Sequence, residues 1–169
     1  MERAHTPTEK GNIAELMIAA KAVQARIAVA RPVNEGLRYD LIFDTDDRLF
    51  RVQCKWASLC DGFVRVAIRT SRHSPVRGYL MTTYSTSEVD LIAAYCQERD
   101  TVYVLPIAEF AGRSVVHLRL KPTRNNQSTF VRWARDYELG AIAQLGERDA
   151  GSVEVEGSSP SGSTKPKAA

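Results

Sequence analysis

Apolar and polar positions divide the chain into one long amphipathic stretch, a series of short strands and a tail without period. Ile13, Leu16, Met17, Ala20, Val23 and Ile27 recur at helical spacing. Thr6-Pro7-Thr8-Glu9 precedes them and carries the residues of a capping box with proline in the first turn. The pattern predicts a helix over about 7–29, stopped by Arg31-Pro32. Residues 37–43 are apolar and β-prone but interrupted by Asp40. Asp44-Thr45-Asp46-Asp47 is turn chemistry, so 49–54 is expected to return as the second strand of a hairpin. Residues 63–68 alternate and predict a third strand. Two more are expected at 91–95 and 101–105, joined by Gln97-Glu98-Arg99-Asp100, then a strand at 115–120 and a short C-terminal helix over 128–137. Residues 69–87, rich in Arg, Ser, Thr and Tyr, read as a functional loop.

Composition narrows the class. With 169 residues, 44% hydrophobic and 25% charged, the chain fits one domain with a tail and excludes a collagen, a coiled-coil rod or a fully disordered chain. Its apolar runs fall far short of the roughly 20 residues that span a bilayer, so no membrane partner is expected. The first 20 residues carry Glu2, Glu9 and Glu15 and do not read as a signal peptide. Cys54, Cys60 and Cys96 are odd in number and lack C-x-x-C spacing. This argues against a disulfide framework or a zinc knuckle and favours a cytoplasmic location. Residues 1–139 hold 20 Lys and Arg against 16 Asp and Glu, most of the bases being Arg, which permits a nucleic-acid partner without requiring one.

The chemistry concentrates in two strands. Asp40 breaks an otherwise apolar run, and Arg51-Val52-Gln53-Cys54-Lys55-Trp56 follows about one hairpin later. Residues two apart share a strand face, so Gln53 and Lys55 point one way while Val52, Cys54 and Trp56 point the other, into a core. A hairpin can then bring a carboxylate, an amide oxygen and an ammonium together at a sheet edge. Phosphodiester hydrolysis uses those parts: a hard divalent cation takes oxygen ligands, and a lysine orients or deprotonates water or stabilises the developing charge. The same residues also fit an edge aspartate beside a snorkelling lysine. Asp44 shares a face with Asp40 but lies roughly 13 Å along the strand, too far for the same ion.

Tyr39-Asp40 followed by Gln53-x-Lys55 resembles the PD-(D/E)xK nuclease signature, with Tyr in place of Pro and Gln in place of the acidic residue. Lys10-Gly11-x-x-Ala14-Glu15, Leu37-Arg38-Tyr39-Asp40-Leu41, Arg51-Val52-Gln53-x-Lys55, the run Val89 to Cys96, Val102-Tyr103-Val104-Leu105-Pro106, and Asn125-Asn126-Gln127 with Arg132-Trp133-Ala134 extend the likeness. Together they are similar to the group I intron-associated PD-(D/E)xK endonucleases over roughly residues 5–139. The resemblance implies an α/β, restriction-endonuclease-like fold: a mixed central sheet flanked by the N-terminal helix and a short C-terminal helix. It implies Mg2+-dependent cleavage of double-stranded DNA, with Mn2+ as a substitute, by a homo-oligomer, a dimer or tetramer, acting at near-symmetric sites. Asp40 then anchors the metal, Gln53 offers a neutral oxygen ligand and Lys55 is the catalytic lysine. Glu15 matches an extra acidic ligand. It lies about 130° from the centre of the helix's apolar stripe, which leaves it available, or simply solvated.

Arg38, Arg69, Arg72, His73, Arg77 and Arg132 are candidate DNA contacts, with a solvated surface as the alternative. His5, His117, Trp56 and Trp133 read as structural. Domain boundaries are expected at 1–139 for the nuclease and 140–169 for a disordered tail. That tail resembles a translated tRNA gene. Ile142 to Gly146 fits codons containing a D-arm consensus, Gly157 to Pro160 fits a T-arm consensus, and the stretch from Gly140 to Thr164 is about one tRNA long. Two rivals to a homing-type enzyme stay open: a structure-selective nuclease for branched or damaged DNA, and a DNA-binding module that has lost catalysis.

Overall fold

The computed structural model describes residues 3–74, 78–122 and 131–140, with backbone alone at 71–74, 79 and 80. Helix α1 spans Pro7–Gln24. Its start is the expected capping box: the Thr6 hydroxyl accepts from the Glu9 N–H at 3.2 Å, and the Glu9 carboxylate accepts from the Thr6 N–H at 2.7 Å. Its end is earlier than expected. The Ile27 N–H reaches back to the Ala22 carbonyl and the Arg26 N–H to the Val23 carbonyl, both at 3.0 Å, with Arg26 left-handed at φ 64°. This is a Schellman cap, and the hydrophobic contact that accompanies it comes from Ile27 and Ala22, both buried in one cluster. The chain turns back, and Ala28–Ala30 forms strand β1 instead of a last helical turn.

The helix also buries a different face from the one its large apolar residues suggest. Ala14, Ile18 and Ala22 are fully buried, whereas Leu16 and Val23 are each 61% exposed. Small side chains let the helix settle on the sheet, where Leu41, Phe43, Val52, Leu91, Tyr95 and Val104 supply the bulk.

Strand β2 (Leu41–Thr45) turns at Asp46-Asp47 into β3 (Arg48–Cys60), whose 13 residues form the spine of the sheet. β4 (Phe63–Ala67) follows. The expected loop at 69–87 is largely a separate antiparallel hairpin, β5 (Arg69–Ser74) with β6 (Gly78–Thr83). Arg, Ser and His fill most of β5, so no apolar alternation marks it as a strand in the sequence. β7 (Leu91–Cys96) lies parallel to β3 and is buried at all six positions, as expected of a strand covered on both faces. A 3-10 turn at Gln97–Arg99 leads to β8 (Thr101–Pro106), then α2 (Ile107–Phe110) and β9 (Val115–Arg119). The last expected helix is a single 3-10 turn, Ala134–Tyr137, after a bridge from Trp133 to Arg119. Residues 128–130 of that expectation and the tail from 141 lie outside the described residues.

The sheet is mixed, as expected, with β7 the strand that runs parallel to β3. α1 covers one face. The other carries a second core in which Tyr84, Val89, Ile92, Tyr103, Leu105, Phe110 and Ala134 pack together. None of the described helices is long and apolar enough to cross a membrane.

Candidate active site

β3 makes the site by being longer than its partners. Val52 is flanked by Leu41 of β2 and Leu91 of β7, and Ala57 by Val66 of β4 and Cys96 of β7. β2 and β4 therefore share one edge of β3, opposite β7, and diverge between residues 52 and 57. Asp40 stands in this fork, just ahead of β2, with its N–H on the Val52 carbonyl at 2.9 Å. Its Oδ2 accepts from the Cys54 N–H at 2.8 Å and from the Gln53 side-chain amide. The Gln53 amide also donates to the Cys54 carbonyl at 3.3 Å.

The alternation expected for β3 holds. Val52 and Cys54 are buried in the α1-side cluster, with Trp56 packed against it, while Ala57 joins the opposite one. Gln53 is buried and Lys55 half-buried. The Lys55 ammonium lies 5.1 Å from the centroid of the Tyr84 ring.

Glu15 is brought to the same place. The true buried stripe of α1 is centred near Ile18, so Glu15 lies about 60° from it, beside the sheet and not across the helix from it. Its Oε1 pairs with an Arg31 guanidinium nitrogen at 2.9 Å. Burial raises the Asp40 carboxyl above its ordinary range; the Cys54 N–H pulls it down, the Glu15 charge raises it, and Lys55 and Arg31 lower it. Two carboxylates and two cations thus act on one another here. The Cys54 thiol is pushed far up by burial, then by Asp40, and is not available as a thiolate.

The DNA-contact candidates fare differently. Arg38 donates to Glu88 at 2.9 Å and to the Thr83 carbonyl at 3.1 Å, and its guanidinium lies 4.5 Å from the Tyr84 ring centroid. Arg132 lies 5.1 Å from the Phe110 centroid, and its carbonyl accepts from the Arg119 N–H at 2.7 Å. Arg69 starts β5, and Arg72 and His73 follow on it; their side chains, and all of Arg77, lie outside the described residues. The sequence gives Arg31 no place in the site and puts Tyr84 only among the aromatics of the 69–87 segment, as a DNA-groove candidate. Arg31 looked like a helix stop, and nothing in Tyr84's spacing ties it to Lys55.

Asp90 and Arg51 hold the other end of the parallel pair. The Asp90 carboxylate accepts from the Arg51 N–H at 2.8 Å, Nε at 3.0 Å and Nη2 at 3.1 Å, and the Asp90 N–H returns to the Arg51 carbonyl at 2.9 Å. This clamp fixes the register of β3 against β7, and with it the positions of Gln53 and Lys55.

Among the described residues, no group of three or more His, Cys, Asp or Glu side chains converges. The oxygen set at the fork is two carboxylates and one amide. That set suits a hard divalent cation, and a half-turn of the Gln53 amide replaces its NH2 with its oxygen.

Among curated protein sequences, none matches the chain. A solved structure of a bacterial homing endonuclease, I-Ssp6803I, is similar at 25% identity over 87% of this chain and 98% of that one, with a TM-score of 0.67. The fold is the restriction-endonuclease-like one. The model of the PD-(D/E)XK endonucleases matches residues 5–140, and the chain belongs to that family.

Proposed function

We propose that the chain is a Mg2+-dependent endonuclease that cuts double-stranded DNA at specific, homing-type sites, with Asp40, Gln53, Lys55 and Glu15 as its active site. The observation that carries this is the hydrogen bond of Gln53 to Asp40 at the fork where β2 and β4 part along β3, with the charges of Glu15 and Lys55 acting on the same Asp40 carboxyl.

Asp40, Glu15 and the Gln53 amide oxygen would hold the cation, Mg2+ or Mn2+ in its place. When bound, such a cation polarises a phosphoryl group and makes coordinated water more acidic. Lys55, as the ammonium, would supply a positive charge beside Asp40 that orients the attacking water and steadies the developing negative charge, or, as the neutral amine, would take the water's proton. Arg31 neutralises Glu15 and keeps the carboxylate pair from repelling itself apart. The β5–β6 hairpin carries Arg69, Arg72 and His73 on a two-stranded ribbon, a shape that fits a DNA groove. A homo-oligomer, dimer or tetramer, would present two or more such sites to near-symmetric DNA.

The test is cleavage of long linear DNA with Mg2+, with excess EDTA, and by Asp40→Ala and Lys55→Ala. Discrete fragments are expected from the wild type, none with chelator, and none from either variant while gel-shift binding persists through phosphate contacts. Undiminished cutting in EDTA, or wild-type cutting by Lys55→Ala, would refute the assignment. Cutting confined to four-way junctions would move the substrate to branched DNA.

A further inference from the structure

We infer that Tyr84 is a positioning residue for Lys55, and that Arg38 holds Tyr84 in place instead of contacting DNA. The inference rests on Lys55 being the catalytic lysine, as proposed above.

A lysine side chain has four rotatable bonds and loses much conformational freedom when its ammonium is fixed. Lys55 is half-buried at the mouth of the fork, so something must restrain its head. Asp40 attracts it electrostatically. The second restraint is the face of Tyr84, 5.1 Å from the ammonium, within range for a cation–π contact. Such a contact orients the ammonium without consuming its N–H donors, which stay free for oxygens of water or phosphate.

The ring is a fixed platform. Tyr84 is 3% exposed and belongs to the core beside Val89 and Ile92. Its neighbours in the chain are both tied down. Arg38 donates to the Thr83 carbonyl at 3.1 Å, and the Ser85 N–H donates to Glu88 at 3.0 Å. Glu88 in turn accepts from Arg38, closing a ring of contacts around the tyrosine. Arg38 then lies 4.5 Å from the same ring centroid. These bonds engage the Arg38 guanidinium inside the protein, leaving it poorly placed to be a phosphate contact. Tyr84 directly follows β6, so the foot of the hairpin meets the catalytic lysine at this ring.

The test uses the full chain and its DNA substrate. In the wild type, the Lys55 ε-methylene resonance is expected upfield of other lysines, as a ring current demands; a random-coil shift would overturn the inference with no variant needed. Tyr84→Leu is expected to cut about tenfold more slowly in single turnover, with DNA affinity unchanged and the upfield shift gone. Tyr84→Phe keeps the ring and is expected to restore both rate and shift. A Tyr84→Leu protein that cuts as fast as wild type would overturn the inference. So would Arg38→Met if it weakened DNA binding while leaving the single-turnover rate intact, because Arg38 would then be a DNA contact. Wild-type cutting by Lys55→Ala is the separate result that sinks the reading of Lys55 itself.

Discussion

Replacing Asp40 by Asn separates what the carboxylate does for the fold from what it does for a cation. In the cation-free protein its Oδ2 takes two donors, the Cys54 N–H and the Gln53 amide. An asparagine carbonyl in the same place accepts both, so the hydrogen bonds survive. The charge does not, and that charge is unfavourable here: burial first, and then the Glu15 carboxylate, raise the Asp40 pKa. The sign follows from linkage. A group whose folded pKa is raised contributes stability below its unfolded value of about 3.9, and loses it as pH rises through the folded value. At neutral pH the folded chain therefore carries the full cost of ionised Asp40, and Asp40→Asn removes it. In EDTA the variant is expected to melt at or slightly above the wild type. Added Mg2+ reverses the order. A ligand at a hundredfold excess over its Kd stabilises the native state by about 2.7 kcal/mol, or about 5–11 °C, and this applies to the wild type alone. Differential scanning calorimetry with EDTA and with MgCl2 reads both halves, and lowering the pH in EDTA should narrow the gap between the two proteins. A variant that melts far below wild type in EDTA, or that keeps the full Mg2+ shift, would refute the reasoning.

Three further outcomes are expected. Asp90→Ala strips three donors of Arg51 of their acceptor and should cost about 2–3 kcal/mol, seen as a lower melting temperature. Burial works against ionised Asp90, but the Arg51 contacts outweigh it and hold its pKa below the usual range; the clamp should therefore be present above about pH 4 and fade as pH falls through the lowered value, and its persistence in acid would contradict this. Gln53→Leu should lose the Mg2+-induced thermal shift and cutting, whereas Gln53→Glu should keep or enlarge the shift, both read by calorimetry and cleavage. A stop after Leu139 should leave melting temperature and specific cleavage nearly unchanged, while a large loss in either assay would make the tail part of the fold or the DNA interface. The stop must not fall earlier, because Leu139 is in the core and Glu138 bridges Tyr103.

The strands were readable because alternation and turn chemistry are local. Asp46-Asp47 forms the hairpin turn, and Phe63, Val64, Val66 and their neighbours form β4 as their pattern requires. In α1 the large apolar residues do not mark the buried face. A helix lying close on a sheet buries alanines, and Leu16 and Val23 are left facing out. For the same reason Glu15 looks remote from any core in the sequence and instead borders the buried stripe. That Gln53 and Lys55 face away from Val52 and Cys54 was legible through strand parity, which fixes faces without knowledge of the partner, and Asp40 stood out only as a break in an apolar run. Arg31 and Tyr84 were not legible, because each meets the site through a contact that sequence distance hides: Arg31 through Glu15, and Tyr84 through Lys55.

The fork explains how a polar site persists in a sheet covered on both faces by apolar cores. Where β2 and β4 diverge, the edge of β3 loses its strand partner, and buried backbone groups left unpaired are costly. Asp40 takes the Cys54 N–H and Gln53 the Cys54 carbonyl, so side chains stand in for the missing strand. Among the described residues, every buried side-chain nitrogen and oxygen has a partner. The residues that would bind a cation thus already satisfy the backbone without it. Folding need not wait for the ion, and what the ion must displace is the pair of donations made by the Gln53 amide. Turning the Gln53 oxygen inward breaks its donation to Asp40 and to the Cys54 carbonyl, a loss of order 1 kcal/mol each that cation binding has to exceed. Glutamate at this position has no donor to lose and adds a charge, which is why Gln53→Glu is expected to bind the cation more tightly and yet be the less stable protein in EDTA.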